Sequence, residues 1–344
     1  MGNITLRAII SKIRKQTFDY GNWFNKKEIQ PYVNFKSMMF FVIFFNITLL
    51  LGLFVFGGLN SLKTVLTTSL LSPEEFGKLR AESGVNGLIT PIYVYVITAI
   101  GRIVAFVYLA YSIVKKKKIH TIIAYAYIVL LLISQLANLS KSSFFFLFIQ
   151  VIVLHLLIYN VKFNILKITI SVITAIIVLI PIYLFTTNAE NASVAMQLIS
   201  NRVFNEPNRV LALYFEAFPS VYPHTWGMNI RLVHNLLTTE TFHAAETLFC
   251  GDDDLGCTVN SIFLADAWVD FSFCGIIIES FFLGAYLFVI DYWVFKEKTF
   301  FTKAMFAGFF LTMFSLPSIA LLACMVTFGL ITIPLMVTIL KIKY

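Results

Sequence analysis

Ser37-Met38-Met39-Phe40-Phe41-Val42-Ile43-Phe44-Phe45-Asn46-Ile47-Thr48-Leu49-Leu50-Leu51-Gly52-Leu53-Phe54-Val55-Phe56 runs without a single charge and stops at Gly57-Gly58. A bilayer core is crossed by about 20 such residues in helical form, so this stretch predicts a transmembrane helix. A basic segment precedes it, with Arg7, Lys12, Arg14, Lys15, Lys26, Lys27 and Lys36. Its length sets it apart from the short charged region of a cleavable signal peptide, so the first helix reads as a signal anchor. Residues 6–13 suit an amphipathic helix lying on the membrane surface.

The same character holds throughout. Apolar residues make up 59% of the chain, 36 residues are Phe, and 13% are charged, against about 25% charged in an average soluble domain. The formal charge of +8 is carried mostly between apolar runs. Membrane topology accounts for that pattern, and a nucleic-acid footprint does not.

Further apolar runs follow at residues 88–114, 119–136, 144–159, 168–185 and 271–293, and a last one at 304–340 is long enough for two helices around Ser315-Leu316-Pro317-Ser318. Lys115, Lys116, Lys117 and Lys118 close the second, and Lys296, Lys298 and Lys303 follow the sixth. With both termini placed in the cytoplasm, inner segments hold 18 Lys and Arg and outer segments 7, with Arg102 inside a span. The reverse orientation would invert the positive-inside bias.

The expectation is therefore an all-α polytopic protein of the cytoplasmic (inner) membrane with about eight transmembrane helices and one large extracytoplasmic helical loop. Its parts are a basic segment at 1–36, five helices at 37–186 with an outer loop at 57–87, the large loop at 187–260, and three helices at 261–344.

The loop at 187–260 is where chemistry is expected, since loops on a rigid scaffold carry most binding and catalytic groups. It holds Arg202, Arg209 and Arg231 with His224, His234 and His243, and no lysine. Arginine offers a planar fork that grips phosphate or carboxylate bidentately, where lysine is a point charge. Pro207 reads as the first position of a helix, which puts Arg209 in a first turn that the helix dipole disfavours for a cation. An anionic ligand at that helix start would account for it.

Arg231 and His234 stand three apart, on one face if helical, pairing a phosphate grip with a proton acceptor. Arg102 lies mid-span, where a buried cation needs a polar cavity or a partner, and Asp266, Asp270 and Glu279 are candidates. Cys250 and Cys257 flank the acidic turn Gly251-Asp252-Asp253-Asp254-Leu255-Gly256. They form a disulfide if the loop faces an oxidising compartment, or remain two thiols. The aspartates lack calcium-loop spacing and read as a solvated turn. No metal site and no cofactor motif is apparent.

Taken together these features resemble the oligosaccharide repeat-unit polymerases, the Wzy-type O-antigen and capsule polymerases of bacterial envelopes. The likeness covers roughly residues 76–287. It lies in Arg80, Gly84 and Gly87 before a span, and in Leu139-Ser140-Lys141-Ser142-Ser143-Phe144, where relatives often carry Gly-Ser-Arg-Ser. It continues in Arg202, Arg209 and Trp226-Gly227, and in Asn260, Asp266 and Phe273 with Gly275 slightly displaced.

The resemblance implies a transferase acting on undecaprenyl-pyrophosphate-linked oligosaccharides, with Arg80, Arg202, Arg209, Arg231 and Arg102 toward the substrate and His234, His224 or Asp266 as base. It also implies a flippase and a chain-length regulator as partners. Relatives usually have ten or more spans, and Lys141 stands where Arg is common. An O-antigen ligase of the same build, or a non-enzymatic lipid-linked-sugar transporter, remains the alternative.

Overall fold

The computed structural model describes residues 20–54, 100–137, 141–161, 173, 191–201, 205–229, 244–249, 263–316, 321–326 and 329–341. Every regular element among them is a helix: α1 (Tyr20–Asn25), α2 (Phe35–Phe54), α3 (Arg102–Val114), α4 (Lys118–Ala137), α5 (Lys141–Ile158), α6 (Ala192–Ser200), α7 (Glu206–Ala217), α8 (Ala244–Phe249), α9 (Phe263–Lys296), α10 (Phe300–Ser315), α11 (Leu321–Val326) and α12 (Thr332–Lys341). Three are long and apolar enough to cross a membrane, namely α2, α4 and α9. Shorter apolar helices include α3, α10 and α12. The chain divides into two compact units, one built chiefly of residues 197–293 with 313–324, the other of 20–196, 294–312 and 325–344.

In the second unit α2 shows why the chain needs lipid. Met38, Val42, Phe45, Leu49 and Leu53 turn inward at helical spacing, while Phe40, Ile43, Phe44, Ile47, Leu51 and Phe54 are exposed. A helix in water would keep its outer face polar, and so much contiguous apolar surface marks a membrane or partner contact. Residues 103–110 of α3 are enclosed on all sides, and α2, α4, α5 and α12 pack against it. Polar groups tie the helices together: the Tyr127 hydroxyl donates to the Gly101 carbonyl at 2.8 Å. From α5, the Gln150 amide donates to the carbonyls of Ala307 and Gly308 at 3.0 and 2.8 Å. Between apolar helices such bonds supply adhesion that hydrophobicity cannot.

The same unit holds a clamp between the chain's beginning and residues 294–303. Helix ends leave carbonyls without partners, and here residues near α1 supply them. Lys26 Nζ donates to the Phe295 carbonyl at 3.1 Å, and the Trp23 indole to that of Glu297 at 3.4 Å. Lys298 Nζ returns a bond to the Phe24 carbonyl at 2.6 Å. Beneath them Lys303, fully buried, pairs with Glu28 at 2.9 Å and reaches the Ile158 carbonyl at 3.4 Å.

Three boundaries differ from the sequence expectation. α5 begins at Lys141, so Ser142 and Ser143 lie in a helix and not in a turn; a first helical turn tolerates polar residues because its amides need partners anyway. The last apolar stretch, expected as two helices, holds most of α10 with α11 and α12, and Gly329 at φ +100° lies between the last two. Finally α9 starts at Phe263, ahead of the expected residue 271, and is broken at Phe271 (φ −133°, ψ 16°) and Ser272 (φ 57°, ψ −147°). The expected spans at 88–114 and 168–185 lie wholly or partly outside the described residues, and the segment 1–19 and the loop at 57–87 lie wholly outside them.

At that break, Gly275 faces the Ala267 backbone, and a Cβ on it would run into the Ala267 carbonyl. We expect Gly275→Ala to cost at least about 2 kcal/mol, the usual scale of overpacking, read as a lower unfolding temperature in detergent. At the clamp, Glu28→Ala should cost about 3 kcal/mol by stranding the buried Lys303 charge, whereas Glu28→Leu with Lys303→Met should recover most of it, by the same measurement.

Candidate active site

α7 forms where the sequence places it, with Pro207 in its first turn and Glu206 ahead of it. Val210, Tyr214 and Ala217 share one face, and they pack with Phe218, Ala244, Ala265, Trp268 and Val269 into an apolar core. The Trp268 indole locks this core by donating to the Phe218 carbonyl at 3.0 Å. That core holds the chain after α7 against the first turns of α9.

Breaking a helix frees carbonyls just before the break, and buried carbonyls require partners. Residues 224–226 provide them. Thr225 N donates to the Val269 carbonyl and Trp226 N to that of Asp270, both at 3.0 Å. Asp266 and Asp270 stand four apart, one turn of α9, on the face toward this loop. Asp270 Oδ1 accepts from Thr225 Oγ1 at 2.5 Å, from Gly227 N at 3.1 Å and from Asn229 N at 3.2 Å. Asn229 Nδ2 donates to Asp266 Oδ1 at 3.1 Å, and its Oδ1 accepts from Ala244 N at 3.1 Å.

Between these anchors Trp226 and Gly227 both have positive φ, 55° and 93°, and Met228 N donates to the Thr225 carbonyl at 3.1 Å. This is a tight turn of the primed kind, which Gly and Asn adopt readily and a bulky residue does not. Holding Trp226 there costs on the order of 1–3 kcal/mol, offset by the bonds on either side.

His224 lies at the start of the turn, its ring edge-on to Trp268 with centroids 5.5 Å apart. Its Nδ1 is 3.3 Å from the Val269 carbonyl. A carbonyl only accepts, so Nδ1 carries a proton, and the tautomer that this bond selects has its lone pair on Nε2. That is the arrangement of a base whose second nitrogen is oriented by a backbone acceptor.

Residues 273–296 alone give about 36 Å of helix, enough for a bilayer core, so Asp266 and Asp270 lie ahead of the part of α9 needed to cross. Burial pushes the Asp266 carboxyl up to about 6; the Asn229 amide opposes this and the nearby Asp270 charge adds to it. Burial also raises Asp270, against the pull of its bonds from Thr225, Asn229 and Gly227. Glu279, past the break, lies within electrostatic reach of both.

Of the residues singled out in the sequence, His224 and Asp266 are brought to this one loop. Arg209 is exposed on α7, in the first turn as the proline signal implied. Arg102 is buried at the start of α3 and belongs to the other compact unit from the three carboxylates. Arg80, Arg202, Arg231, His234, Cys250 and Cys257 lie outside the described residues. Among those residues no cluster of His, Cys, Asp and Glu has metal-binding geometry.

Sequence reading did not assign Thr225, Asn229 or the anchoring role of Asp270. Thr225 and Asn229 flank the Trp226-Gly227 pair, which was the one available signal. Compared with known proteins, the chain matches no family model, no curated protein and no solved structure.

Replacing Asp270 with Ala removes three bonds at once and leaves the buried Gly227 amide without its acceptor. We expect Asp270→Ala to cost about 3 kcal/mol and Asp270→Asn, which keeps an accepting oxygen, about 1 kcal/mol or less, compared by thermal unfolding in detergent.

Proposed function

We propose that this protein is a glycosyltransferase that joins undecaprenyl-pyrophosphate-linked oligosaccharide repeat units into a polymer at the outer face of the cytoplasmic membrane. The observation that carries the reading is His224, fixed through Nδ1 with Nε2 available, beside the carboxylates of a broken apolar helix. The acceptor sugar's hydroxyl gives its proton to His224 Nε2 as its oxygen bonds to the donor's anomeric carbon. The bond from that carbon to the lipid pyrophosphate breaks, and the pyrophosphate leaves with the electron pair.

Arg209, with Arg80, Arg202 and Arg231, offsets the charge that develops on the leaving group. Asp266 is the alternative base, its pKa near the range useful for proton transfer. His234 keeps the role the resemblance gives it, as a further base candidate, and Arg102 that of a further substrate contact.

One feature favours a second reading. An apolar helix broken beside Asp266, Asp270 and Glu279 is also how transporters build a site within the membrane, and a lipid-linked-sugar transporter would use it so.

Purified protein in vesicles supplied with lipid-linked repeat units separates the two. A ladder of longer glycans is the expected product, and His224→Ala should slow its formation by about 100-fold or more. The unfolding temperature of that variant should change little, because the Asp270 bonds remain. Repeat units crossing the vesicle wall without lengthening would replace the polymerase with the transporter, and full activity in His224→Ala would remove His224 as the base.

A further inference from the structure

We propose that Trp226 and the turn that carries it are a membrane anchor, seated in the glycerol and headgroup layer of the bilayer. The inference rests on α9 as a membrane helix and holds whichever reaction the site performs. Trp226 is 76% exposed at a φ of 55°, in a position where glycine or asparagine would relieve strain. Among the described residues its ring meets one aromatic ring, that of Phe271, centroids 6.4 Å apart, so the core of this unit gains little from it. Among the described residues the indole N–H donates to nothing. Yet the indole is held in place: the amides of Trp226, Gly227 and Asn229 are all tied to Asp270.

What lies beside it identifies the partner. Phe271 is two residues ahead of the apolar face of α9 on which Phe273, Ile277 and Phe281 follow at intervals of four, 67%, 68% and 55% exposed. Ile278 and Phe282 widen the same stripe, and Met228 on the turn is exposed as well. The indole therefore stands at the end of a lipid-facing surface, where tryptophan concentrates because its rings favour the hydrocarbon edge and its N–H finds a polar partner. A sugar-stacking platform would need hydrogen-bonding groups pointing outward with the ring. Here Asp270 Oδ1 is taken up by the turn itself.

The anchor holds His224, two residues away, at the depth of a lipid headgroup. A phosphate attached to a lipid tail would reach it there without leaving the membrane.

The test is tryptophan fluorescence of the full-length protein in vesicles, with Trp226→Phe measured in parallel so that the difference between the two is the emission of Trp226. Trp226→Phe changes only an exposed ring, and a monodisperse profile in detergent verifies that it folds. Quenching of the difference signal by lipids brominated near the glycerol should exceed that by lipids brominated near the chain end by about two-fold, with little effect of aqueous iodide. Strong iodide quenching with no response to either lipid would overturn the anchor and leave an aqueous ring available to saccharides. Strongest quenching by the deep bromines would overturn it in the other direction, placing the turn inside the hydrocarbon.

Discussion

An apolar helix that is broken must find donors for the carbonyls it releases, and in a membrane protein water is a poor source of them. α9 releases the carbonyls of Val269 and Asp270 at its break, and the amides of Thr225 and Trp226 take them up. The Asp270 side chain then gathers the far end of the same loop. Break and loop are thus one structure, each satisfying what the other leaves open. Gly275 permits the close approach that the bend requires, and the core around Tyr214 and Trp268 keeps the chain in place while these bonds form. The position of His224 follows from the Val269 carbonyl, which is open to its Nδ1 because α9 is interrupted at Phe271 and Ser272.

Elsewhere the helices meet by a different rule. α3 is apolar and enclosed on every side, while α2 is apolar and half exposed. Neither has the polar face that distinguishes inside from outside in water. Specific adhesion then falls to a few polar contacts, Tyr127 on Gly101 and Gln150 on the backbone at 307–308.

The sequence made the helices legible because 20 uncharged residues can mean little else, and α2 and α4 end close to where their apolar runs do. The start of α7 was legible from Pro207, since a missing amide is harmless only there. The break in α9 was not. It falls at Phe271 and Ser272, with no proline or glycine at either position to announce it, and Gly275 three residues on reads equally well as a packing glycine. The polar cluster was hidden for another reason: Asp270 meets residues 41 to 45 positions away, a pairing that no local periodicity encodes. The Trp226-Gly227 pair is visible in the sequence, but its positive backbone angles and the exposure of Trp226 exist only in the folded chain. As for Arg102, a buried cation signals that it needs company without saying whose.

The clamp between the chain's beginning and residues 294–303 bears on the order of assembly. Trp23 and Glu297 are separated by 274 positions, and Glu28 and Lys303 by 275. During synthesis the first partner of each pair leaves the ribosome long before the second exists, so these contacts close only after every intervening helix has been made. Closing so long a loop costs chain entropy that grows slowly with length, and contacts this distant form late. Residues 23–28 therefore dock late, against residues that the chain supplies only after the helices between them have been made.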